Sequence, residues 1–161
     1  MSDVFTKEKR SEVMSRIRGK GNRDTELVLA RLLREQHITG WRRHYPIPGR
    51  PDFAFPKIRV VVFVDGCFWH RCPKCSNMPS NNRRFWMDKL TGNVARDRKV
   101  NRAMVRAGWS VLRVWEHDLR RPDRVIGRIK EMLVEGRPTK GRILHTSAPR
   151  GGVFARSRSA C

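Results

Sequence analysis

Residues 24–36, DTELVLARLLREQ, put Leu29, Leu32 and Leu33 on one helical face with Leu27 and Ala30 beside it, which predicts an amphipathic helix. Asn22 or Asp24 can cap its start, and Glu26 falls in the first turn, where a carboxylate meets the positive end of the helix dipole. β signals follow. Residues 41–47 read as a strand, Pro48-Gly49-Arg50-Pro51 as a turn, 52–55 as a short strand and Pro56-Lys57 as a second turn. The β-branched run at 58–64, IRVVVFV, predicts a central strand buried on both faces. A long helix over about 82–107 stops at Gly108, a strand occupies 110–115, and a last helix over 120–135 turns Val125, Ile126, Ile129, Met132 and Leu133 inward. The expected architecture is α/β, a small mixed sheet flanked by helices.

The two ends differ from this middle. Residues 1–22 carry Lys7, Lys9, Arg10, Arg16, Arg18 and Lys20, with room for a short helix around 8–18 that shows Val13, Met14 and Ile17 on one side. They read as an exposed basic arm, and equally as an arm that folds when it meets a polyanion. Residues 137–161 hold six basic residues and no acidic one among Gly, Pro, Ser and Ala, and read as a disordered basic tail that includes Cys161. The expected organisation is an arm over 1–22, one folded domain over 23–136 and a tail over 137–161. A chain of 161 residues suits one domain.

Charge narrows the function. Lys and Arg total 36 against 15 Asp and Glu, a formal net charge of +21. Such a field concentrates polyanions, nucleic acid above all. No apolar run approaches the ~18 residues needed to span a bilayer, and MSDVFTKEKR lacks the apolar stretch of a signal peptide. A reduced intracellular compartment, with no membrane partner, is the expectation.

Three constellations carry chemistry. Cys67-x4-Cys72-x2-Cys75 offers three thiolates around a Pro73-Lys74 knuckle, which points to a closed structural zinc site rather than to core cysteines. The fourth ligand comes from His70, His117, His145 or Cys161; His117 follows the 110–115 strand, which should lie beside 58–64. Asp52 and Asp65 sit at the turn-distal ends of two strands that pair antiparallel, so they can share a hard cation such as Mg2+. Each taken singly is an ordinary turn or strand-end residue. His70 suits acid–base work or zinc ligation, and spacing leaves both open. Phe68, Trp69, Phe85 and Trp86 flank Arg71, Arg83 and Arg84, as core packing or as a wedge that unstacks bases.

PGRPDFAF (48–55), VVVFVDGCFWHRCPKC (60–75) and RRFWMDKLTGNVARDRKVNRAMVRAGWSVLRVWEHDL (83–119) resemble the very-short-patch repair endonucleases, as does the Arg10–Ile17 segment; the likeness runs over about 1–135. It implies a restriction-endonuclease-like core with a structural zinc. It also implies Mg2+-dependent nicking 5′ to the thymine of a T:G mismatch, the product of 5-methylcytosine deamination. Asp52 matches the metal-binding aspartate, Val64 the residue whose carbonyl completes the metal shell, and His70 the catalytic histidine. Glu26 matches a carboxylate implicated in catalysis, beyond the dipole role that its position alone suggests. Cys67, Cys72, Cys75 and His117 fall at or near the zinc-ligand positions. Phe68, Trp69 and Trp86 match the aromatic wedge, and Met14 a residue entering from the minor groove, with Arg16 and Arg18 beside it on DNA. Position 65 departs from the histidine of the best-known form, so Asp65 is a candidate Mg2+ ligand and catalytic carboxylate. The resemblance implies a monomer in the bacterial cytoplasm, associated with the nucleoid. It further implies a substrate of double-stranded DNA carrying a T:G mismatch, with MutL- or MutS-type repair proteins as candidate partners. A zinc-stabilised, non-catalytic nucleic-acid-binding module and a related nuclease for other distorted DNA are the competing readings.

Overall fold

The computed structural model describes residues 6, 25–136 and 140–146. The helix expected around 8–18 lies outside the described residues, as do Met14, Arg16, Arg18 and Cys161. Helix α1 spans Glu26–Glu35 and buries Leu29, Ala30 and Leu33 on the face that the leucine spacing foretold. Thr25 stands at its N-cap without a side-chain capping bond. The strands β1 (Arg42–Arg43), β2 (Phe53–Phe55) and β3 (Val60–Asp65) form an antiparallel meander. A 3-10 turn over Pro56–Ile58 joins the last two. Helix α2 (Arg83–Arg106) then crosses over to β4 (Ser110–Trp115), which pairs parallel with β3. Helix α3 (Pro122–Glu135) follows, and β5 (Ile143–His145) adds parallel to β4. Among the described residues the sheet has five strands in the order β1-β2-β3-β4-β5.

Two expectations need correcting. The strand read over 41–47 is paired only at Arg42–Arg43, because His44 takes a left-handed backbone (φ 48°) that breaks the extended run. The segment read as a disordered tail supplies β5, since Ile143 and Leu144 find an open edge on β4.

Alternation along the strands divides the core. Phe53, Phe55, Val60, Val62, Leu112 and Val114 face α1 and α3, where Leu29, Leu33, Val125 and Ile129 close on them. Ala54, Val61, Phe63 and Val111 face the other way, against Met104 and Val100 of α2. Fully burying an aliphatic or aromatic side chain is worth ~1.5–3 kcal/mol, so both sheet faces are strongly held. Residues 58–64 were expected to be buried on both faces, and β3 is. Asp65 continues the α2-facing series 61, 63, 65, and Arg113 continues it on β4. Two charged groups are thereby delivered into the layer between sheet and α2.

Candidate active site and metal centre

β3 and β4 run parallel, so their C-terminal ends lie at one edge of the sheet, where Asp65 is paired with Trp115. Ligand sites of open α/β sheets gather at such ends. Two residues beyond each member of that pair stand Cys67 and His117. The register therefore brings them together, and the Cys67–Cys75 loop folds Cys72 and Cys75 onto the same point. His117 Nδ1 lies 3.2, 3.5 and 3.4 Å from the sulfurs of Cys67, Cys72 and Cys75, and the Cys75 and Cys72 sulfurs are 3.4 Å apart. A tetrahedral zinc with ordinary Zn–S and Zn–N bonds needs ligand–ligand edges of about 3.5–3.8 Å. The four donors are gathered slightly tighter than that, within about 0.4 Å of those edges, and the cluster is consistent with structural zinc. Of the candidates for fourth ligand among the described residues, His70, His117 and His145, His117 is the one placed there. Without a cation, burial pushes the Cys67 thiol up to about 12; coordination by a divalent ion deprotonates such a thiol outright. The Cys67 N–H donates to Glu116 Oε2 at 3.1 Å and the Cys72 N–H to the Cys67 carbonyl at 2.9 Å, which fixes the knuckle.

The same loop presents His70 to a cavity of about 670 Å³ that also touches Glu26, Asp52, Asp65 and Trp69. Asp52 lies just before β2, and its Oδ2 accepts the Val64 N–H at 2.7 Å. Antiparallel pairing does bring Asp52 beside the end of β3. Burial pushes its carboxyl up to about 7, against the Val64 hydrogen bond and with help from Glu26 and Asp65. Glu26 is buried at the start of α1, with Arg43 2.7 Å and His44 3.4 Å from its Oε2. Donor atoms of Glu26, His44 and Asp52 all lie within 4.8 Å of one another, a set able to hold a cation. His44 is new to this set; only the tertiary approach of its turn to α1 reveals it.

Asp65 sits differently. Its Oδ1 accepts from Arg113 Nη1 at 2.7 Å, and both side chains are about 5% exposed or less. Arg113 also donates to Asn101 Oδ1 through Nε and Nη2 (3.1 Å each), lies 3.4 Å from Asp97 Oδ1, and stacks 4.6 Å over Phe63. His70 Nδ1 is 2.6 Å from Asp97 Oδ2 and 3.7 Å from Asp65 Oδ1. Burial disfavours the imidazolium, but the Asp97 hydrogen bond and the two carboxylate charges outweigh it and raise the His70 pKa despite Arg113. For Asp97 the balance is inverted: burial opposes ionisation, and the contacts with His70 and Arg113 hold its pKa below the usual carboxylate value. Nδ1–H donation to Asp97 selects the tautomer whose Nε2 accepts a proton.

Asp97, Asn101 and Arg113 were not singled out in the sequence. The available signal was helical: Lys89, Asn93, Asp97 and Asn101 recur every four residues on one face of α2. Asn93 Nδ2 donates to the Trp69 carbonyl at 3.1 Å, tying that face to the His70 loop. Phe68, Trp69 and Trp86 do come together, with ring centroids 5.1–6.1 Å apart. Trp86 is buried beneath the other two, while Phe85 stands 60% exposed beside it.

Comparison with known proteins gives these features a context. Residues 2–76 match the family model for DNA mismatch endonuclease Vsr. The chain is 40% identical over 124 residues to the DNA mismatch endonuclease Vsr of Escherichia coli, covering 74% of this chain and 77% of that one. It is 34% identical over 142 residues to the type II nicking enzyme V.NmeAIP of Neisseria meningitidis, covering 83% of this chain and all of that one. A shorter match, 52% over 69 residues, joins it to the type II nicking enzyme V.NaeI of Lentzea aerocolonigenes; it spans 43% of this chain and 42% of that protein. Among the described residues no helix is long and apolar enough to cross a membrane.

Proposed function

Because the chain belongs to the Vsr DNA mismatch endonuclease family, and is thus a DNA nicking endonuclease, we propose that it cuts double-stranded DNA 5′ to the thymine of a T:G mismatch in very-short-patch repair. The supporting observation is the His70–Asp97 pair, 2.6 Å apart, opening on the cavity that holds half-buried Asp52 and buried Glu26. A histidine oriented by a carboxylate beside crowded acidic groups suits activation of water at a phosphodiester.

Crowded carboxylates with a raised Asp52 pKa favour a cation between them, so the residues fit Mg2+. Asp52 and the Val64 carbonyl would hold it, with the second oxygen of Asp65 in reserve while Oδ1 stays on Arg113. Bound Mg2+ would supply positive charge to the phosphoryl and leaving oxygens, where negative charge develops. His70 moves the proton of the attacking water through Nε2, and Asp97 keeps the ring turned towards it. Glu26 orients groups at the metal edge with Arg43 behind it. Phe68 and Trp69 enter beside the mismatch on the Trp86 platform, and Met14, Arg16 and Arg18 of the arm close on the other groove and the phosphates. A T:G pair is cheaper to distort than a Watson–Crick pair, which gives the wedge its selectivity. Cys67, Cys72, Cys75 and His117 would hold zinc, which would clamp the loop that carries His70.

Two of the three relatives described bear the name nicking enzyme, which keeps a related nuclease for other DNA as the second reading. A labelled duplex with one T:G pair, run beside T:A and C:G controls with Mg2+ or EDTA, separates them. Mg2+-dependent nicking of the thymine strand in the T:G duplex alone is the expected result. Equal cutting of the controls would replace the mismatch reading, and tight binding without cleavage would favour a binding module.

A further inference from the structure

β5 ends at the metal centre. Its register with β4 (Val111 with Ile143, Leu112 with Leu144, Arg113 with His145) carries the chain to Thr146, whose N–H donates to the Arg113 carbonyl at 3.0 Å. The Thr146 hydroxyl, in a residue only 3% exposed, meets Asp118 Oδ2 in a close hydrogen bond; the Arg113 carbonyl, at 3.4 Å, is its weaker alternative acceptor. The other oxygen of Asp118, Oδ1, is 3.3 Å from His117 Nε2. That nitrogen is buried and makes no well-aligned hydrogen bond. A buried N–H left in that condition is unfavourable, and the Asp118 carboxylate at 3.3 Å is within reach to accept it. The opposite nitrogen, Nδ1, is the one facing the three sulfurs.

We propose that Thr146 and Asp118 are positioning residues for the Cys3His centre. The hydroxyl holds Asp118, Asp118 accepts the Nε2–H of His117, and His117 Nδ1 is thereby kept unprotonated and aimed at the metal. Metal-bound histidines commonly pass their second N–H to a carboxylate, and losing that partner typically costs 10–100-fold in metal affinity. The proposal rests on the zinc reading of the cluster. It gives the C-terminal strand a task in the metal centre, distant in sequence from the knuckle that supplies the thiolates.

The test uses the full-length protein. Zinc content is measured by elemental analysis, then release to 4-(2-pyridylazo)resorcinol is timed for wild type, Thr146→Val, Thr146→Ser and Asp118→Asn, with melting temperatures alongside. Leu144→Ala serves as a control that loosens β5 packing without removing the hydroxyl. Zinc affinity about 10–100-fold weaker in Thr146→Val and Asp118→Asn, seen as faster release, is expected. Thr146→Ser should behave as wild type, and Leu144→Ala should lose melting temperature without matching the faster release. Wild-type release from Thr146→Val and Asp118→Asn would overturn the proposal. So would release in Leu144→Ala as fast as in Thr146→Val at equal loss of melting temperature. A wild-type protein without zinc would instead remove the zinc reading itself.

Discussion

Arg113 is an arginine in the middle of a fully buried strand, and its surroundings account for it: Asp65, Asp97, Asn101 and the Phe63 ring engage the guanidinium. Removing one partner of such a pair leaves an uncompensated charge, at a cost of ~3–5 kcal/mol. Arg113→Leu alone should lose that much in denaturant unfolding, whereas Arg113→Leu combined with Asp65→Asn should lose clearly less than the two single changes added. Strict additivity would mean that the pair is not coupled. Beside it, His70→Ala should slow nicking by about 10²–10⁴-fold while gel-shift affinity for mismatched DNA stays near wild type; Asp97→Asn should act in the same direction more weakly. As candidates, Asp52 and His70 were legible in the sequence, since each stands beside a strand end and matches a residue of the family resembled. Asp97 and Arg113 were not, because a helix-face aspartate and a strand arginine become site residues only once α2 is laid across the sheet.

At the scale of elements, much was readable. The leucine spacing of α1, the β-branched run of β3 and the β3–β4 pairing follow from periodicity and the crossover rule. The reading failed where a local conformation or an open edge decided: His44 ends β1 early, and β5 is recruited from a segment whose composition suggested a tail. The turn before β2 shows how tightly elements are fitted. Gly49 has φ +84°, and a Cβ there would stand 2.4 Å from Val100 Cγ1 on α2. Gly49→Ala should therefore destabilise by at least the ~1–3 kcal/mol of a strained backbone residue, read as a lower melting temperature. The knuckle makes a sharper test: Cys72→Ser should release zinc and disorder the loop that carries His70. A variant retaining one full equivalent of zinc would remove Cys72 from the ligand set.

For the whole molecule, the charge of +21 sets how the protein meets DNA. Each phosphate neutralised contributes about 0.9 to the slope of log affinity against log salt. Ending the chain after Thr146 removes Arg150, Arg156 and Arg158. The slope should become shallower, by up to about 0.9 per lost contact, with cleavage at low salt little altered. An unchanged slope would show that these arginines do not touch DNA.

The parallel pairing of β3 with β4 has a consequence for how the protein is made. Two parallel neighbours cannot join until the crossover between them has been synthesised, and non-local pairings of this kind form late and slowly. Glu26 precedes every strand of the sheet in the chain, Asp97 belongs to the crossover, His117 follows β4, and Thr146 follows β5. The His70–Asp97 and Asp65–Arg113 pairs therefore close only after the crossover and β4 have been made, however early the strand that ends at Asp65 is complete.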